Sequence, residues 1–299
     1  MLAFAKFFGL ILLGLASIAA FGYPVWSLLT PTFDFPFHRV AGRVAMLGVL
    51  IGFVWLARRE HLANKTSLGY GLPRRLWLRE AGIAFALGVA TMLPVMLAMV
   101  LLDMRNFKPD ASLDAATLLG LAGSGIMSAI TVAFIEETFL RGAMFSAIAR
   151  ESGPRLAIFL PSLIYAATHF IGRFRIPPEQ VGPGSGLDLL AGMLRDLAHP
   201  GQIVDAFISL FAVGVLLAMV RHLTGSIAAC VGLHAGWVWV ILFMRKTTVP
   251  DATHPAAFLL SSFDGVVGWL VLGWTLLFGV VLFRFYQRRQ ILQRVPSAV

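Results

Sequence analysis

The chain has 299 residues, of which 58% are hydrophobic and only 13% charged, against roughly a quarter charged in soluble domains. So little charge cannot cover a water-facing surface, which excludes a soluble globular protein. The formal charge of +9 does not indicate nucleic acid either, because Lys and Arg sit between apolar runs rather than in a patch interleaved with aromatic side chains.

Runs close to the ~20 apolar residues that a helix needs to cross a bilayer recur along the whole chain. They predict an all-α polytopic membrane protein, a single integral membrane domain over 1–299, with eight spans near 5–23, 40–57, 82–102, 116–138, 156–172, 203–221, 226–244 and 265–284. The first run places Lys6 ahead of apolar residues and small side chains at Ala19 and Ala20. With so many spans behind it, it reads as a membrane anchor rather than a cleaved signal.

Between the second and third runs, Arg58 to Arg79 carries Arg58, Arg59, Lys65, Arg74, Arg75 and Arg79, whereas Asp103 to Asp114 is net acidic. The positive-inside rule makes the first segment cytoplasmic and the second not. Alternation then puts Lys6, Arg150, Arg155, Arg221 and the tail residues Arg284, Arg288, Arg289 and Arg294 inside. Both termini are expected to be cytoplasmic, in the cell (inner) membrane. The fourth run stays apolar past Arg141 to Ile148, so its helix either runs long and tilted or breaks near the Gly-rich Leu121 to Gly125. The longest non-cytoplasmic connection, Gly172 to Gln202, holds Pro177, Pro178 and a Gly-Pro-Gly-Ser-Gly stretch, then an amphipathic helix over Leu187 to Leu197. Cys230 is the sole cysteine, which excludes an internal disulfide and any CxxC metal site.

An ionisable side chain at mid-span costs at least ~2.5 kcal/mol on insertion scales, so it normally faces the protein interior and serves a purpose. Glu136, Glu137, His169 and His234 stand out on this ground. On a helix the adjacent glutamates point in different directions, and Glu137 with Arg141 forms an i, i+4 pair in the favourable acid-before-base order. Glu137 is therefore expected to be held by Arg141, leaving Glu136 free to accept and return a proton as a general base. Imidazole can orient a water or donate to a developing oxyanion, and Tyr165 lies one turn before His169 on the same face. Gly232 and Gly236 flank His234 with the GxxxG spacing that admits a neighbouring backbone. On spacing alone this polar site serves either hydrolysis or ion transfer.

Glu136-Glu-Thr-Phe-Leu-Arg141, with Gly142 behind it, resembles the EExxxR motif of the CAAX-protease and bacteriocin-processing family of intramembrane endopeptidases. Tyr165-Ala-Ala-Thr-His169 corresponds to the family's FxxxH, and His234-Ala-Gly-Trp-Val238 to its third motif, a His four residues before Asn or a hydrophobic residue. The resemblance covers roughly Ala116 to Met244 and places the catalytic core in the later helices. It implies peptide-bond hydrolysis by activated water, with Glu136 as base, His169 as its partner on the water, His234 as oxyanion donor, and Glu137 and Arg141 in support. The implied substrate is a membrane-associated protein or peptide, with no nucleic acid. No cofactor is expected. Zinc is the alternative, but the HExxH arrangement that puts two His ligands on one helix face is absent from the sequence. Tyr165 replaces the family Phe, and Val238 stands where prenyl-protein-processing members have Asn, which leaves the Trp237 indole N–H as a substitute donor. The competing readings are a non-catalytic immunity or assembly factor of the same fold, and a proton-coupled transporter, which predicts two related halves that the chain does not show.

Overall fold

The computed structural model describes residues 1–109, 114–171 and 174–294. Residues 110–113 of the acidic segment and 172–173 at the head of the Gly/Pro-rich connection lie outside the described residues, as do the side chains of Arg288, Arg289 and Arg294. The chain forms α1 (Leu2–Leu29), α2 (Phe37–Arg59), α3 (Arg74–Leu101), β1 (Arg105–Phe107), α4 (Ala115–Glu137), α5 (Phe145–Ser152), α6 (Pro154–Thr168), α7 (Ser185–Met193), α8 (Val204–Thr224), α9 (Ala228–Thr247), β2 (Thr248–Pro250) and α10 (Trp269–Arg294). It is an all-α polytopic membrane protein.

Among the described residues, 7 helices are long and apolar enough to cross a membrane. The remaining predicted span, near 156–172, is α6, which has only 15 residues. That is about 22 Å of helix against a hydrocarbon core of ~30 Å. Gly153, at φ 84°, ends α5, and Pro154 starts α6 at the one helical position where a missing N–H costs nothing. Because α6 is short, His169 at its C-terminal end sits within the depth of the bundle.

The fourth run does not break at its glycines. It continues from Ala115 to Ser152, 38 residues, and Asp114 caps its start by accepting from the Thr117 N–H at 3.0 Å. At about 57 Å the helix exceeds any upright span. Its irregularity falls lower down, where Thr138–Met144 forms a π-helical stretch directly after Glu137, the kind of wide turn that recurs at functional sites.

The centre of the bundle is α9, packed on one side by α3 and on another by α4, while α6 packs on α8. The approach of α3 depends on Gly232 and Gly236, since a Cβ at either would collide with the α3 backbone around Ala81 and Phe85. Small residues let two backbones meet where lipid offers no hydrophobic drive for helix association. Gly142 has a parallel role. A Cβ there would lie 2.8 Å from the Leu68 carbonyl, so the α2–α3 connection can rest on the π-helical stretch only if that position is glycine.

The cationic connections gather at one end of the bundle. The N-terminal amine bonds the Glu151 carboxylate, Lys6 pairs with Glu60 at 2.7 Å, and the Ser146 hydroxyl donates to the Ser67 carbonyl. The Ile227 N–H reaches the Gly69 carbonyl at 3.1 Å, and Leu223 and Arg284 line one surface groove. At the other end, β1 pairs antiparallel with β2, Asn106 opposite Val249. The connection after α6 lies at that end too. Its helix α7 ends at Met193, short of the predicted Leu197, and packs on α1, with Gly186 against the Ile18 carbonyl.

Candidate active site

Glu137 and Arg141 are both fully buried, and Arg141 Nη1 donates to Glu137 Oε1 at 2.9 Å. The same oxygen lies 2.8 Å from His234 Nδ1, so one carboxylate binds a helix neighbour and a residue 97 positions away. Arg141 Nη2 donates to the Gly214 carbonyl of α8 at 3.1 Å, and the guanidinium carbon sits 4.6 Å from the centre of the Tyr165 ring. Helices α4, α6, α8 and α9 thus meet at one ion pair. A buried charge is tolerable only with such partners.

Glu136 points elsewhere, as the ~100° step along a helix requires. Its side chain is 34% exposed and its Oε2 lies 4.0 Å from His234 Nε2. Glu136 Oε2 and Glu137 Oε2 are buried atoms without a hydrogen-bond partner among the described residues. With Nδ1 against a carboxylate, the His234 proton belongs on Nδ1, so in the neutral ring Nε2 is an acceptor facing Glu136.

His169 joins the group through Tyr165. Its Nδ1 donates to the Tyr165 carbonyl at 2.7 Å, and the two rings meet edge to face at 4.5 Å, while the His234 ring also meets the same phenol ring, at 5.8 Å. Both imidazoles line a cavity of about 300 Å³. Val132, one turn before Glu136, also lines it, as do His234, Trp237, Val238, Ile241, Leu242 and Arg245, a single face of α9 at helical spacing. Arg245 is exposed. The cavity therefore runs from the buried polar centre towards the end of the bundle opposite the basic connections, between apolar walls completed by Trp274 and Phe278 of α10.

Trp237 departs from expectation. Its indole N–H is not directed at the polar centre but donates to Thr91 Oγ1 of α3 at 3.1 Å, and Trp274 donates to the Thr91 carbonyl at 2.7 Å. It forms cavity wall and joins α3 to α9. Thr91, Gly214 and the α10 wall were not singled out from the sequence. Thr91 and Gly214 act through hydroxyl and backbone groups, for which apolar runs carry no signal. Among the described residues no group of three or more His, Cys, Asp or Glu side chains is placed to hold a metal ion.

Residues 118–240 match the family model described as Type II CAAX prenyl endopeptidase Rce1-like. The match spans less than half of the chain. All six polar residues of the centre, Glu136, Glu137, Arg141, Tyr165, His169 and His234, fall inside it, whereas α1 to α3 and α10 lie outside. The family implies that this integral membrane protein is a protease. No curated protein and no solved structure matches the chain.

Proposed function

We propose that the protein is an intramembrane endopeptidase that hydrolyses a peptide bond of a membrane-associated protein or peptide by glutamate-activated water. The observation that carries this reading is the pair Glu136 Oε2 and His234 Nε2, 4.0 Å apart, one buried and unpartnered, the other with its far nitrogen against Glu137. A water oxygen can reach both within hydrogen-bond distance. Glu136 takes a proton from that water, the oxygen adds to the scissile carbonyl, and the resulting carboxylic acid returns the proton to the departing amine as the C–N bond breaks.

In this mechanism Glu137 and Arg141 hold His234 in place. His234 becomes an oxyanion donor through Nε2 only when it gains a second proton. His169 presents the nitrogen left free by its bond to the Tyr165 carbonyl. The mechanism requires no metal, and the commitment of Glu137 to both Arg141 and His234 supports that choice. The long apolar cavity along α9 suits an extended, largely apolar peptide segment. Positive-inside placement of the basic end would put both termini in the cytoplasm and direct the cavity towards the opposite face.

The test is incubation of the purified protein with the membrane proteome of its host and comparison of new peptide termini between wild type and Glu136→Gln. Termini present only with the wild type support the reading. Identical sets of termini remove its support.

A further inference from the structure

The outer face of α1 and α2 carries a groove of about 1220 Å³, lined mostly by apolar side chains and glycines, with His38, Arg39 and Arg43 at one end. It shares no lining residue with the cavity of the candidate active site. The arginines are out of place by length. Between Arg43 and Arg58 the sequence has only 14 residues, Val44 to Ala57, all uncharged. They make about 21 Å of helix, against a hydrocarbon core of ~30 Å. One end of α2 must therefore carry its cation below the headgroup level. The Arg58 end is fixed at the basic surface by neighbouring Glu60, which pairs with Lys6 and accepts from Arg150. Arg43 is the one that lies within the apolar layer.

Arg43 and Arg39 are both exposed, and among the described residues neither has a carboxylate within 4.0 Å. The Arg43 guanidinium instead lies 3.7 Å from the Met46 thioether, one turn deeper in α2, a weak acceptor for a strong donor. Arg175 extends the positive field, since it acts on His38 electrostatically together with Arg39. A cation in hydrocarbon needs a counter-charge that is itself bound to hydrocarbon, and the fork of an arginine matches a phosphate.

We infer that this groove is a binding site for an anionic glycerophospholipid, its phosphate held by Arg39 and Arg43 and an acyl chain laid along the α1–α2 groove. The two arginines sit at the end of α2 opposite the basic connections, so the lipid belongs to the leaflet away from them.

The full chain, purified in detergent and stripped of lipid, is titrated with phosphatidylglycerol or phosphatidylcholine of the same acyl composition and followed by native mass spectrometry and thermal melting. Two arginines near a membrane surface are expected to give roughly a tenfold or greater preference for phosphatidylglycerol. The pair Arg39→Gln and Arg43→Leu should reduce it to within about twofold while leaving the melting curve in phosphatidylcholine unchanged. Equal binding of the two lipids by the wild type, or an undiminished preference in the double variant, overturns the site. Stabilisation by inorganic phosphate equal to that by phosphatidylglycerol overturns it as well, since the groove would then contribute nothing.

Discussion

Arg141 and Arg105 are both almost wholly buried, yet their surroundings assign them opposite kinds of work. Arg105, at the start of β1, spends Nε on Thr248 Oγ1, Nη2 on the Thr248 carbonyl and Nη1 on the Gly265 carbonyl. Burial pulls its pKa below the ordinary guanidinium range, while the Asp264 charge opposes that shift. Its three nitrogens are satisfied by groups of one neighbourhood, and the result is a strut between β1, β2 and the turn before α10. Arg141 instead meets a carboxylate, a carbonyl and an aromatic face drawn from three other points in the chain, and leaves its own Nε and one oxygen of each neighbouring glutamate unpartnered. A saturated buried charge is architecture. Unspent polar capacity beside a buried charge, next to two imidazoles that line a cavity, is what a reaction centre requires.

Breaking that contrast should give its largest effect at Glu136. Glu136→Gln keeps the shape of the side chain but cannot take a proton, and turnover on a substrate found by terminal profiling should fall about 10²- to 10⁴-fold. Its thermal melting in detergent should stay close to wild type. Full activity in this variant would end the proposed mechanism.

Next come the two halves of the buried pair. Glu137→Gln leaves Arg141 and His234 facing a neutral amide, and Arg141→Met leaves the buried Glu137 without its guanidinium; either change should destabilise by about 3 to 5 kcal/mol. Melting curves should show it, with partial loss of activity at permissive temperature because His234 loses its anchor. If Glu137→Gln melts normally and is inactive, the roles of the two glutamates are reversed.

Arg105→Met sharpens the comparison from the other side. Two carbonyls and a hydroxyl lose their donor, for a loss of about 1 to 3 kcal/mol. The initial rate below the melting transition should change less than about twofold, far short of the general-base effect. A loss of turnover comparable to that of Glu136→Gln would show that the strand cap belongs to the active centre after all.

The smallest effect is expected at Trp237→Phe, which deletes the indole N–H donated to Thr91. A lowering of stability by about 0.5 to 1.5 kcal/mol with kcat nearly intact would confirm a wall residue. A fall in kcat with unchanged KM would restore Trp237 to the chemistry.

The sequence by itself determined the class of the protein, because lipid is a demanding solvent. A continuous apolar helix satisfies its own backbone within it, so such spans announce themselves, and a Glu or His inside one is conspicuous by its cost. The same rule made Glu137 with Arg141 legible, since i, i+4 neighbours on a helix need no tertiary information. It did not determine that α6 would be a short helix ending at His169, or that the fourth helix would run on through a π-helical stretch. Apolar character does not report where hydrogen bonding changes step. Three-dimensional packing is what makes Glu137 Oε1 serve Arg141 and His234 together, brings both imidazoles and the guanidinium against the Tyr165 ring, and turns the Trp237 N–H to Thr91. Apart from the two i, i+4 pairs, Glu137 with Arg141 and Tyr165 with His169, those contacts join residues tens to more than a hundred positions apart. Which of them form depends on how closely α3, α4, α6 and α9 approach, and that distance is set by packing at glycines such as Gly232 and Gly236 rather than by any local preference of the chain.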